Sequence, residues 1–154
     1  MRLRMLDYLA IYPLIAGTFT PLCLVFFHNS VVGWCFFGVV WALAIAGMIM
    51  TATMFGMIPK WFSMTTYVTL GWLGACMIGW LSKEVSNGAI VLLGLGGIFY
   101  TVGGYVYTSE KPNPVPGVFG FHEIWHIAVI FGAASHWFMM YFYVLPWSGE
   151  KKEI

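Results

Sequence analysis

Apolar and polar positions fall along this chain in long blocks. No Asp, Glu, Lys or Arg occurs at 8–59, 61–82, 85–109 or 124–149. A transmembrane helix needs about 20 predominantly apolar residues, so the last three gaps hold one helix each. The first gap, divided by the polar break His28-Asn29-Ser30, holds two. The pattern therefore predicts five helices, at about 8–27, 32–55, 62–82, 88–108 and 121–145. The fold class expected is all-α, a polytopic transmembrane helix bundle forming a single transmembrane domain over 1–154. An odd number of crossings puts the two chain ends on opposite sides of the membrane. The one Pro-rich stretch, Ser109-Glu-Lys-Pro-Asn-Pro-Val-Pro-Gly117, denies the backbone a helix and reads as a connector before the last span.

Composition supports this pattern and excludes other classes. Hydrophobic residues make up 60% of the chain and charged residues 8%, against about a quarter charged in soluble domains. The formal net charge is +1 with no basic stripe, which excludes a nucleic-acid footprint and leaves membrane lipid as the expected partner. Nothing in the sequence sets an oligomeric state. Cys23, Cys35 and Cys76 all fall in apolar spans without C-x-x-C spacing and are expected as buried free thiols. The opening Met-Arg-Leu-Arg-Met and its long apolar run exceed a signal-peptide core, and read as a retained first helix.

With the amino terminus inside, Arg2, Arg4, Lys60 and Lys111 lie on the inner side and Lys83, Lys151 and Lys152 on the outer. This weak positive-inside bias favours a cytoplasmic amino terminus. Gly71, Ala75 and Gly79 recur every four residues on the third span, a small-residue face suited to close helix packing. Trp61, Trp80 and Trp147 lie near span ends, as an aromatic belt requires.

Ionisable residues inside membrane helices are costly and mark candidate sites. Here they are Asp7, His122, Glu123, His126 and His136. His122 and His126 are four residues apart, about one helical turn, and so share a face on which they can hold one metal ion. Imidazoles in an apolar setting without thiolates favour zinc; the alternative is a pair of amphipathic histidines at the interface. The first and fifth helices cross in the same direction, so their beginnings share a leaflet. Asp7 can thus join the pair as a metal ligand or as the base acting on water; alternatively it favours a positive helix end. His136 lies about 21 Å further along the axis, too far to share that metal. His28 is expected to be solvated in its loop. The string His122-Glu123-Ile124-Trp125-His126 also spells H-E-x-x-H, the zinc-metalloprotease motif. The extended motif is missing, since Val129 and Gly132 occupy its Gly and His positions, and Glu150 and Glu153 lie beyond the far end of the helix.

Two stretches, Leu6-Asp-Tyr-Leu-Ala-Ile-Tyr-Pro-Leu-Ile-Ala-Gly-Thr-Phe-Thr-Pro21 and Phe119-Gly-Phe-His-Glu-Ile-Trp-His-Ile127, resemble the bacterial hemolysin III family. That family is grouped with the progestin and adipoQ receptors, which include the adiponectin receptors. The resemblance runs over essentially the whole chain. It implies a seven-helix fold in the bacterial cell membrane with zinc near the cytoplasmic face, held by three histidines. Two of those histidines match His122 and His126, while Asp7 matches the carboxylate contacting the metal-bound water. The third comes from a Ser-x-x-x-His segment that has no counterpart in these residues and belongs just before Leu6-Asp7. Either a longer reading frame or a divergent five-helix member is therefore expected. Two histidines and a carboxylate, with water completing a tetrahedron, would hold zinc more weakly than three histidines. The resemblance further implies zinc-dependent hydrolysis of a lipid amide such as a ceramide. The non-enzymatic alternatives are a cytolytic protein, a receptor, or a regulator of membrane state.

Overall fold

The computed structural model describes residues 2–147, so Glu150, Lys151, Lys152 and Glu153 lie outside the described residues. All its regular elements are helical. In chain order they are α1 (Arg2–Phe26), α2 (Val31–Thr53), α3 (Lys60–Trp72), a 3-10 turn (Leu73–Met77), α4 (Ile78–Glu84), α5 (Asn87–Ser109), α6 (Phe121–Met139) and a π-helical turn (Met140–Val144). The chain divides into two compact units, one ending at Leu81 and the other starting at Ser82.

In the first unit, α1 buries Tyr8, Tyr12, Ala16, Phe19, Cys23 and Phe26, at three- and four-residue spacings that form one helical stripe. The facing stripe of α2 is Gly33, Val40, Ala44, Gly47 and Thr51. Buried polar groups sit on the same faces. The Tyr12 hydroxyl lies 3.3 Å from Thr51 Oγ1 and 3.4 Å from Thr66 Oγ1, tying α1 to α2 and α3. Thr66 already donates its proton to the Ser63 carbonyl, so it accepts from Tyr12, and Thr51 completes the chain by donating to Tyr12. Tyr67 donates to the carbonyl of Tyr8, one residue beyond Asp7. A bilayer offers no water to these groups, so pairing among themselves is the available solution.

The third expected span is not one helix. It breaks at the 3-10 turn, and the segments on either side are bent by 51°. Glycines lower helix propensity here, and Gly74 accommodates the Phe19 ring, which a Cβ at that position would strike. The break also overturns the packing expected of Gly71, Ala75 and Gly79. A 3-10 turn advances three residues per turn, so a four-residue repeat no longer lines up. A Cβ at Gly71 would meet nothing within 4 Å. Cys23 is buried, whereas Cys35 and Cys76, expected to be buried, are exposed. His28 is exposed, as its loop position implied, with Nδ1 3.1 Å from the Val25 carbonyl.

In the second unit, α5 and α6 pack through glycines. Gly103 meets Ala128 and Trp125, Gly132 meets the Tyr100 ring, and Gly88 meets the Tyr143 hydroxyl. Outside these contacts both units present large apolar side chains, among them Leu43, Ile49, Ile98 and Ile130. Helices α1, α2, α5 and α6, the last taken with its π-helical turn, are each long and apolar enough to cross a membrane. The bent pair α3 and α4 supplies a fifth crossing if it counts as one span.

Candidate functional site

The candidate site is built at the start of α6. Gly120 caps the helix, and the Glu123 carboxylate reaches back to accept the Gly120 N–H at 2.8 Å. Asn113, from the preceding connector, accepts the Phe121 N–H at 3.1 Å. Gly120 permits this approach, since a Cβ there would lie 2.5 Å from Asn113 Oδ1. Two donors that an open helix end would leave without partners are thus satisfied.

The first turns of α6 carry the histidines. Trp125 is buried and packs on Tyr107, with ring centroids 4.8 Å apart. His122 and His126 flank it on the exposed side, at 5.8 Å and 4.5 Å from its ring. The two imidazoles meet edge to face with centroids 4.6 Å apart. This is the one-turn pairing anticipated from their spacing, with Trp125 bracing both rings.

The donor set suits two positions of a zinc ion, whose imidazole ligands sit at about 2.0–2.1 Å. Within either unit, no third His, Cys, Asp or Glu among the described residues joins a metal-holding group. Asp7 is exposed on α1 of the first unit, while the histidines belong to the second. The Glu123 carboxylate lies 3.7 Å from His122 Nδ1 and is engaged as the helix cap. That use argues against the metalloprotease reading of H-E-x-x-H, which needs the glutamate as general base.

His136 is tied to α5 instead. Its Nε2 lies 3.3 Å from the Leu93 carbonyl and its ring meets Tyr100 edge to face at 5.5 Å. Gly96 makes the room, since a Cβ there would lie 2.2 Å from Nε2. Nδ1 is buried without a hydrogen-bond partner. Sequence reasoning noted this histidine but missed its acceptor. It also passed over the Tyr12–Thr51–Thr66 network, whose signal was present in the helical spacing of these residues with the buried stripes.

The family model described as Haemolysin-III related matches residues 2–137. Among curated proteins, the chain is 38% identical over 141 residues to Hemolysin-3 of Bacillus cereus, covering 92% of this chain and 61% of that protein. It is 34% identical over 143 residues to a Hemolysin-3 homolog of Bacillus subtilis (strain 168), covering 92% and 62%. The chain therefore spans about three fifths of the length of these relatives. No solved structure matches it.

Proposed function

Because this chain belongs to the haemolysin-III related family, we propose that it acts in the bacterial cell membrane as a zinc-dependent hydrolase of a lipid amide. In this reading His122 and His126 are metal ligands near the cytoplasmic side, and Asp7 is the carboxylate that completes the site. The supporting observation is the His122–His126 pair, edge to face one turn apart and open on α6. Zinc would supply Lewis-acid activation of water and of the scissile carbonyl. The Asp7 carboxylate would position water and take its proton, and Trp125 would hold the imidazoles in place. An amide linking two apolar chains suits a protein whose surroundings are lipid.

The test uses protein purified in detergent, with zinc measured by mass spectrometry and fatty-acid release measured from a ceramide. Wild-type protein supplied with zinc should retain more of it than either variant, and His122→Ala and His126→Ala should each lower zinc and turnover together. If both variants keep both properties, the assignment fails. Asp7→Asn should spare zinc content more than turnover if the carboxylate acts on water, and reduce both if it is a ligand.

The relatives' name, Hemolysin-3, supports a second reading, in which the protein perturbs membranes without turning over a substrate. Lysis of erythrocytes that is undiminished in the His122→Ala/His126→Ala double variant would favour that reading. Lysis lost together with zinc would tie the perturbation to the same site.

A further inference from the structure

The connector between α5 and α6 is more ordered and more apolar than a water-exposed loop requires. Val115 and Phe119 pair as an isolated antiparallel bridge, with N–H···O distances of 3.0 and 2.9 Å. Val118 N–H also returns to the Val115 carbonyl, at 3.1 Å. Gly117 turns the chain at φ +82, a conformation glycine adopts without steric penalty. The next two N–H groups, of Gly120 and Phe121, are taken by Glu123 and Asn113. Pro112, Pro114 and Pro116 have no N–H to satisfy. The hairpin therefore meets most of its backbone donor requirement internally, the condition set by a medium poor in water.

Its side chains suit the same medium. Val118 is 77% exposed, Val115 49% and Phe119 37%, and Tyr105 on the last turns of α5 is 72% exposed. Helix α5 has 23 residues, a length of about 34 Å, so it fills a hydrocarbon core of about 30 Å. The hairpin follows directly at the level of the headgroups. Its exposed apolar tip lies in sequence between two helices of membrane-spanning length, and charge within 110–120 appears only at its base, at Glu110 and Lys111.

We infer that residues 114–119 form a wedge seated in the bilayer interface, with Val115, Val118 and Phe119 among the upper acyl chains of the surrounding phospholipid. The segments flanking the wedge are tied to the first turn of α6 by the Glu123 and Asn113 hydrogen bonds to Gly120 and Phe121. The inference rests on the membrane-spanning helices and not on the zinc reading.

The experiment places a benzoylphenylalanine photocrosslinker at Val118, with all native cysteines retained, in protein reconstituted into phosphatidylcholine vesicles. A second sample carries it at Lys111. Illumination should attach one phosphatidylcholine to the Val118 position, detected by mass spectrometry, at a yield several-fold above that at Lys111. Equal yields at the two positions, or crosslinks from Val118 to a second copy of the chain, would overturn the inference. As a measurement independent of crosslinking chemistry, a nitroxide at Val118 in a Cys23→Ala/Cys35→Ala/Cys76→Ala background should be more accessible to oxygen than to a water-soluble nickel chelate. The reverse order would equally overturn it.

Discussion

Gly47 and Gly96 make room for polar rings within the helix packing. A Cβ at Gly47 would lie 2.2 Å from Tyr12 Cε1, and Tyr12, 1% exposed and bonded at both Thr51 and Thr66, has nowhere to move. Gly47→Ala should therefore destabilise the protein by about 1–3 kcal/mol, as overpacking does. Tyr12→Phe, which removes only the hydroxyl, should cost about 0.6 kcal/mol, up to about 1.7; thermal unfolding in detergent separates the two. Gly96→Ala should displace the His136 imidazole from the Leu93 carbonyl and shift its ring NMR signals. Glu123→Gln offers a different test, since an amide oxygen can still accept the Gly120 N–H. The zinc reading expects turnover to survive that change, whereas a glutamate acting as general base would cost about 100-fold or more. At this scale the sequence showed which residues were polar but not what they touch. The partners of His136 and Tyr67 are backbone carbonyls, which have no letter, and the role of Glu123 depends on the cap geometry at Gly120.

Among elements, the informative one is the broken third span. Gly74→Ala would place a Cβ 2.5 Å from Phe19 Cε1, while Gly71→Ala would enter open space. The first should lower the melting temperature. The second should leave it unchanged or raise it slightly, because alanine favours helix over glycine by about 1 kcal/mol. A four-residue repeat of small residues suggested the opposite ranking, because spacing arguments assume an unbroken α-helix. The other helices were legible from the charge-free gaps, because a bilayer excludes ionised groups over the length of a span. α1 begins at Arg2, earlier than that gap, because helix continues past Asp7 through residues the gap rule discards. The π-helical turn at the end of α6 was not legible either. It adds one residue to a turn, with Leu145 N–H bonding the Met140 carbonyl at 2.9 Å, and no residue type signals it. Exposed Tyr141 of this turn stacks on exposed Trp137 of α6, with ring centroids 5.2 Å apart.

For the molecule as a whole, the distribution of side chains is that of a lipid-solvated protein: the Tyr12, Thr51 and Tyr67 hydroxyls are paired inside the first unit, and large aliphatic and aromatic side chains are exposed on both units. It should stay in the membrane pellet through alkaline carbonate extraction, and release into the supernatant would contradict that reading. Fold class was legible in the sequence because composition and block pattern are properties of the whole chain. The site was legible only as far as one helix, where four-residue spacing brings two histidines together without help from the rest of the fold. The 51° break in the segment Lys60–Glu84 has a consequence for sidedness. Each span reverses the chain, so the faces reached by everything after Glu84 follow from the parity of crossings before it. The zinc reading requires this segment to cross, because one re-entry in place of one crossing would put Asp7 and His122 in opposite leaflets. Topology reporters fused after Glu84 and within the 110–120 connector should accordingly report opposite compartments, with the connector on the same side as the amino terminus. The side of the membrane on which α6 begins therefore follows from whether the segment bent at this glycine-bearing turn crosses or re-enters.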